Sequence, residues 1–475
     1  MPDRPPNILL ITTDQQRHDT LGVNGNRVLQ TPNLDTLAAS GTNFTRAYVT
    51  CPVCIPARRT LISGLHPDTH GLWGYRDGAD WDPPATLPGV LSARGYQTQL
   101  CGKLHLHPQR KRYGFDHMVL SDSGNYRPTS PNQRENDYHD WLAERGVYAK
   151  GNDHGIHGNG RNARPWHLEE YLHHTNWVTR MGVDFLDGWR DPEAPWFMHL
   201  SYTAPHPPLV PPRDYWDRYI GMDELAPTLG DWVPQLTADN ATHDPVGITG
   251  PFDAEQIRRA IVGYYGLIHH IDDQVAWLLE RWNEYRNPRR GEPLWILFSS
   301  DHGEMLGDHH LFRKSLGYEA SAHVPLFVTG QNVDVPTGSC DALVTWEDIM
   351  PTVLDLAGAE VPNHLDGRSL VPLMRGEQEP AAFRETVYGG CLNAHANRYL
   401  VRGDLKYIRY CGTGEEQLFD LASDPREEHD LSADAARLEP MRRALDQRWG
   451  GADGFDKPPV PCENRPPRVF WPEGS

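Results

Sequence analysis

No apolar run in this 475-residue chain is long enough to cross a bilayer. Mean hydropathy is −0.62. The amino terminus, MPDRPPNILLITTDQQ, lacks a basic stretch followed by a long apolar segment and a small-residue cleavage site. We therefore expect a cytoplasmic protein without a membrane partner. Cysteine is sparse and odd in number, with 7 residues, so no disulfide framework is implied. Positive charge is in deficit: 45 Lys+Arg stand against 64 Asp+Glu, a formal net of −19, with no long basic run. Nucleic acid is not an expected partner. No internal repeat and no low-complexity tract is present. What remains is a globular composition. Hydrophobic residues make up 38%, and 15 Trp argue against a disordered chain. The 24 His are numerous enough to require inspection for sites.

The chain alternates short apolar runs with helical patterns. Asn7–Thr12 reads as a buried parallel strand that ends in a polar loop. Gln97–Cys101, Trp196–Tyr202, Leu294–Ser299, Pro325–Thr329 and Ala342–Thr345 read as further strands. Thr31–Gly41 has Pro near its start and Gly at its end, the marks of a short helix. Ala254–Tyr285 is the longest helical pattern, with Ile257, Ile261, Tyr265, Ile268, Val275 and Leu278 at helical spacing. Strands alternating with helices predict an α/β fold: a large, mainly parallel sheet between helices. The polar stretch from Tyr113 to Pro165 reads as an excursion outside the core, and the Pro-rich 204–250 as irregular. Past Pro380 come short strands at Tyr399–Val401, Leu405–Tyr410 and Gln417–Leu421, then a helix near Ala435–Arg448. This predicts a catalytic unit over 1–375. A small C-terminal α+β domain over 376–475 would end in an extended Pro-rich tail from Lys457.

The chemistry concentrates in CPVCIPARRTLISG, residues 51–64. Cys51 and Cys54 form a C-x-x-C pair, open to three readings: a redox dithiol, half a zinc site, or two buried structural cysteines. A zinc site needs a second pair, and Cys101 stands alone. Elsewhere Asp14-Gln15 follows one strand and Asp301-His302 another. In an open parallel sheet both strand ends face one crevice. Their bland reading is helix capping after a strand. Oxygen ligands suit calcium or magnesium, and the imidazole of His302 tilts the set toward manganese or another transition metal.

Cys54-x-Pro56-x-Arg58 with Leu61 and Ser63-Gly64 resembles the signature of the sulfatase family, in which the Cys is oxidised to formylglycine. Further blocks resemble that family in its own order: Asn7–Ile11 with Asp14, Arg17, Asp19 and Leu21-Gly22; Thr31–Asp35 with Gly41, Phe44 and Ala47; Gly102-Lys103-Leu104-His105; Pro205-His206-x-Pro208; Ser300–Glu304 with Leu306–His309, Lys314, Glu319 and Val324–Leu326; Asp348-Ile349-x-Pro351-Thr352; and Leu418–Leu421 with Asp424-Pro425-x-Glu427. One such block is weak evidence, whereas the ordered set is specific. Ala57 replaces the commoner Ser. Where many members carry an Asp pair and Asp-Asn, this chain has Asp14-Gln15 and Asp301-His302. That combination resembles the branch holding phosphonate monoester hydrolases and choline-sulfatase-like enzymes.

The resemblance implies an alkaline-phosphatase-like fold and hydrolysis of aryl or small alkyl sulfate monoesters to inorganic sulfate. Cys54, as formylglycine, becomes the nucleophile. Asp14, Gln15, Asp301 and His302, with the modified Cys54, hold one divalent metal, calcium first, manganese or magnesium otherwise. Arg58 lies one helical turn from Cys54 and holds the nucleophile or metal-bound oxygens. Lys103 and His105 alternate on a strand end, Lys103 to bind sulfate and His105 as base. His206 and Lys314 bind sulfate and serve the leaving group as acid. His107, His270, His309, His310 and His323 read as structural or solvated. Implied partners are a small sulfate ester, a formylglycine-generating enzyme during maturation, and further copies in a homodimer or homotetramer. Two alternatives stay open: a phosphonate monoester or phosphodiester hydrolase of the same superfamily, and a non-enzymatic anion-binding or C-x-x-C redox protein. Lys103 and His105 favour sulfate over phosphonate.

Overall fold

The structure, a computed structural model, describes residues 5–122, 136–147, 154–222, 225–233, 244–250, 252–284, 291–393 and 395–450. The Pro-rich tail from Lys457 lies outside the described residues. Among those residues no helix is long and apolar enough to cross a membrane.

The fold is α/β. Its strands, in chain order, begin with β1 (Asn7–Asp14), β2 (Thr42–Phe44), β3 (Ala47–Tyr48), β4 (Gln97–Gly102) and β5 (His117–Leu120). There follow β6 (Trp196–Pro205), β7 (Leu294–Ser300), β8 (Leu326–Gln331), β9 (Gly338–Cys340) and β10 (Val344–Thr345). The C-terminal strands are β11 (Thr386–Cys391), β12 (Asn397–Arg402), β13 (Leu405–Tyr410) and β14 (Glu416–Asp420). An 8-stranded sheet runs β5-β4-β6-β1-β7-β8-β2-β9. It is mainly parallel, with β8 antiparallel to both β7 and β2.

Every residue of β1 is buried, and alternation divides them between two cores. Ile8 and Leu10 join Leu61, Ile349 and Val353 on one face. Leu9 and Ile11 join Trp177, Ile261 and Ile268 on the other. Helices therefore cover both faces. The helix Ala254–Asn283 buries its Ile257/Ile261/Ile268/Val275 stripe against the second core.

A second sheet, β11-β12-β13-β14, is antiparallel throughout. One face meets the helix Ala435–Trp449 through Leu400, Tyr407, Leu418 and Leu445. The other meets the larger unit through Tyr399, Val401, Ile408 and Phe419 against Tyr48 and Tyr318.

Two sequence expectations change. The stretch from Tyr113 to Pro165 is not wholly outside the core. β5 forms the edge of the main sheet beside β4, and Tyr138 and Leu142 enter the core. β5 is short and buried only at its second half, so its alternation was too brief to read. β11 was missed because Gly389-Gly390 break its apolar pattern.

Candidate active site

β4, β6, β1 and β7 are neighbours and mutually parallel. Gly102, Ser201, Thr12 and Ser299 share one rung across them. The residues just past that rung therefore leave the sheet along one edge: Lys103, His206, Asp14 and Asp301. Gly102 is required for the exit of β4. Its φ is +106°, and a Cβ there would lie 2.0 Å from the Ser201 carbonyl oxygen. Gln15 (φ 74°) and His105 (φ 56°) also adopt left-handed backbone, a conformation that clusters at functional sites.

The helix Cys54–Ser63 points its amino end into this crevice, and all of its residues are buried. Val53 precedes it in extended conformation without a side-chain cap. Pro56 in the first turn removes one of the otherwise unsatisfied N–H donors. The remaining first-turn N–H groups and the positive end of the helix favour an anion at Cys54.

Asp14, Cys54, Asp301 and His302 present ligand atoms that all lie within 4.8 Å of one another, and all four residues are buried. The Cys54 sulfur is 3.2 Å from His302 Nε2 and 3.7 Å from Asp14 Oδ1. His302 Nδ1 lies 3.0 Å from the Gly303 carbonyl oxygen. A carbonyl only accepts, so Nδ1 carries the hydrogen and Nε2 offers its lone pair to the cluster. Despite burial, the Asp301 carboxylate holds His302 above its ordinary pKa. The cluster thus attracts positive charge, and its donors (two carboxylates, an imidazole nitrogen and the Cys54 side chain) suit a divalent cation.

Cations ring the carboxylates. Arg58 donates from Nε to Asp301 at 2.9 Å and from Nη1 to the Lys103 carbonyl and to Ser201 Oγ, each at 3.0 Å. Its Nη2 faces Asp14 at 3.6 Å and has no hydrogen-bond partner among the described residues. Lys103 Nζ pairs with Asp14. Burial alone would raise the Asp14 carboxyl, but Lys103 first, with Lys314 and Arg58, holds it well below the carboxylate range. Burial and the Asp14 carboxylate push the Cys54 thiol up, yet Lys103, Lys314 and His302 leave it below the ordinary thiol value.

Gln15 is placed differently from the four clustered residues. Its N–H donates to Asp301 at 3.0 Å, its side-chain oxygen accepts from Lys314 Nζ at 2.6 Å, and its NH2 meets Glu304. His105 is anchored by its N–H to Asp122 at 2.7 Å, and its buried Nδ1 has no partner. Burial and then Lys103 and Arg58 hold it far below the usual His value. His206 sits against Asp14 through its backbone N–H at 3.0 Å, and its Nδ1–H donates to the Pro207 carbonyl at 2.6 Å. Burial and Lys314 hold it neutral as well. His309 packs against Trp232, away from this cluster, and its Nδ1 accepts from the Gly230 N–H.

Sequence reasoning gave no role to Asp122, Ser201 or Glu304. Each positions a residue that it did single out: Asp122 orients His105, Ser201 Arg58, and Glu304 Gln15. Glu304 lay in a recognised block, whereas Asp122 and Ser201 carried no local signal. Tyr75, also unread, stands at the mouth, 46% exposed, its ring edge-on to His105 at 5.9 Å. The two sulfurs of the C-x-x-C segment meet different partners, Cys54 with Asp14 and His302, Cys51 with Cys391.

Comparison with known proteins agrees with this geometry. The family described as Sulfatase matches residues 6–359. The one described as N-sulphoglucosamine sulphohydrolase, C-terminal, matches 307–450. An arylsulfatase of Clostridium perfringens is 38% identical over 438 residues, covering 89% of each chain. A choline-sulfatase of Rhizobium meliloti is 29% identical over 95% of this chain and 88% of its own. The crystal structure of a phosphonate monoester hydrolase of Agrobacterium radiobacter superposes with a TM-score of 0.74 at 26% identity, covering 93% of this chain and 95% of that one. With the strand-end cluster and its ring of cations, these matches show that the chain belongs to the sulfatase family and is a sulfuric ester hydrolase.

Proposed function

We propose that the chain hydrolyses aryl or small alkyl sulfate monoesters, with Cys54 matured to formylglycine as nucleophile beside one divalent metal. Asp14, Asp301 and His302 would hold the metal, with Gln15 joining them by releasing Lys314. The observation that carries this reading is the convergence of Arg58, Lys103 and Lys314 on the residues around Cys54. A sulfate monoester presents an anionic sulfuryl group and builds further charge on its leaving oxygen, so preorganised cations are the main requirement. When bound, the metal, calcium first and manganese or magnesium otherwise, polarises the sulfuryl oxygens and acidifies the attacking hydroxyl. The formylglycine hydrate supplies a second hydroxyl, so sulfate can leave by C–O cleavage without a second attack on sulfur.

The chain's own groups divide the remaining work. Arg58, fixed by Asp301 and the Lys103 carbonyl, orients the side chain at position 54 one turn before it. Lys103 binds a sulfuryl oxygen. Lys314 brings an N–H to the leaving oxygen. His206 keeps its Nδ1–H on Pro207, so its Nε2 would donate to the sulfuryl group only in the protonated ring, the form that an incoming anion favours. His105, with Nδ1 unpartnered, takes the proton as sulfate is expelled.

A second reading, hydrolysis of phosphonate monoesters or phosphodiesters, is favoured by Gln15 and His302. Neutral groups at these positions leave the centre less anionic. Turnover of 4-nitrophenyl sulfate against a 4-nitrophenyl phosphonate ester separates the two. We expect a sulfate preference, and a large phosphonate preference would overturn the first reading. The tryptic peptide Ala47–Arg58 of the same active preparation, reduced and alkylated, should carry one alkylated thiol and an aldehyde at position 54. Two alkylated thiols would sink the formylglycine mechanism. Cys54→Ala should lower kcat by ~10⁵-fold or more, the scale of losing a nucleophile.

A further inference from the structure

Beside the nucleophile segment lies a second sulfur pair that hydrolysis does not use. Cys51 and Cys391 are buried, 1% and 0% exposed, and share a small apolar cluster with Val53, Trp73 and Leu392. Their thiols are close enough to act on each other electrostatically. The backbone holds them together, because the Gly390 N–H donates to the Thr50 carbonyl at 2.8 Å. A disulfide needs a Cα separation of ~4.4–6.8 Å, and this backbone bond joins the residues that immediately precede the two cysteines.

Arg398 provides an independent sign. It is 7% exposed, and its Nε and Nη1 have no hydrogen-bond partner among the described residues. Its guanidinium lies over the Trp73 ring at 3.9 Å, close enough to act electrostatically on both thiols. A buried cation with unmet donors beside a thiol pair favours one member as thiolate. The neighbouring Cys51 lowers the Cys391 thiol, and burial pushes the Cys51 thiol up. Cys391 is therefore the attacking sulfur.

We propose that Cys51 and Cys391 form a disulfide that ties the segment presenting Cys54 to the first strand of the C-terminal sheet. The oxidant is a low-molecular-weight disulfide. The Cys391 thiolate attacks one of its sulfurs, breaking that S–S bond and releasing one small thiolate, which takes up a proton. Cys51 then loses its proton and attacks the Cys391 sulfur of the mixed disulfide, expelling the second small thiolate, which takes the proton. Two protein thiols and one small disulfide become one protein disulfide and two small thiols.

The position gives the bond a structural consequence. Ser315 lies close enough to act on the Cys391 thiol, and its N–H donates to the Pro52 carbonyl at 2.9 Å. Ser315 follows Lys314 in the chain. The disulfide would therefore fasten the Cys51–Cys54 segment and the Lys314 loop to the C-terminal sheet together. Cys411 packs against the same cluster and is the internal competitor.

The test uses the full native chain, incubated with oxidised glutathione, alkylated, and digested with trypsin without reduction. The expected product is Ala47–Arg58 joined to Glu385–Arg398, lighter than the two free-thiol peptides by a pair of hydrogens, with fragment ions placing the bond at Cys51. Reduction should remove it, and the oxidised chain should melt at a higher temperature than the reduced one. Cys391→Ser should lose both the cross-link and the gain in melting temperature. The wild-type map stands by itself if that variant does not fold. Quantitative alkylation of both thiols after oxidant, or a bond mapped to Cys54 or Cys411, overturns the proposal.

Discussion

Two buried charged clusters lie at opposite ends of the segment Lys314–Glu319, and they are built to different ends. At one end Lys314 reaches Gln15 beside Asp14, Asp301 and Cys54. At the other, Glu319 receives Lys406 Nζ at 2.7 Å and His323 Nδ1 at 2.6 Å, and Lys406 also lies 3.2 Å from Glu427. Lys406 belongs to β13, so this second cluster locks the small sheet onto the large one. Its cation is enclosed by two carboxylates of the same chain and by the rings of Tyr48 and Tyr399. The first cluster keeps Arg58 Nη2 and His105 Nδ1 without hydrogen-bond partners among the described residues although both are buried. A cation and an imidazole nitrogen left unmet beside the nucleophile mark a place for substrate, whereas a cation held between carboxylates of its own chain marks a fastening. Burial and charge alone do not tell the two apart.

Matched substitutions sharpen that contrast. Lys406→Met leaves two carboxylates buried without their cation and should cost about 3–5 kcal/mol of stability, read by chemical denaturation. Lys103→Met should lower kcat by ~10²–10³-fold, the scale of one lost electrostatic contact, with a smaller fall in melting temperature because Arg58 still faces Asp14. If Lys103→Met proves the more destabilising of the two, the distinction between site and fastening fails.

The pH dependence of stability tests the fastening by itself. Burial raises the Glu427 carboxyl from the usual 4.5 to about 7. The folded chain then keeps a proton there that the unfolded chain releases above its ordinary value, so this group penalises folding as pH rises through that window. Glu319 has the opposite sign. Burial alone would raise it, but Lys406 and His323 hold it well below its usual value. Its contribution is present at neutral pH and is lost as pH falls below the ordinary Glu range. Glu427→Gln should therefore gain on the wild type by about 2–4 °C in melting temperature between pH 5 and pH 7. A constant difference across that range would show that Glu427 does not titrate there.

The smallest effect concerns the mouth of the site. Tyr75 stands edge-on to His105 and is half-exposed. An aryl leaving group would meet its ring, a contact worth about 0.5–1.5 kcal/mol. Tyr75→Ala should raise KM for 4-nitrophenyl sulfate by about 2–10-fold on that scale and leave a small alkyl sulfate unchanged. Equal effects on both substrates would exclude an aryl contact.

Much of the large unit was legible before any coordinates. β1, β4, β6 and β7 carry apolar runs dense enough to read, because a strand buried on both faces has few polar positions. Asp14 and Asp301 stood out at the ends of β1 and β7, just past their apolar runs. β5 and β11 were hidden. β5 is an edge strand with an exposed start, and β11 contains two glycines whose purpose is close approach: a Cβ on Gly390 would lie 2.4 Å from the Asn397 carbonyl oxygen.

The sequence by itself determined which groups can do chemistry: a Cys at the head of a helix with Arg one turn on, paired Asp-Gln and Asp-His after strands, Lys-x-His and Pro-His after two more. These are local relations, and helix and strand periodicity make them readable. Tertiary structure alone decided which of them meet. The shared rung of β4, β6, β1 and β7 brings residues far apart in the chain to one edge. Packing beyond that rung turns Gln15 onto Lys314 and Glu304, sets Cys51 near Cys391, and encloses Lys406 between Glu319 and Glu427. Such pairings depend on strand order and on the docking of the two sheets, which packing across the whole core selects and no short stretch of sequence encodes.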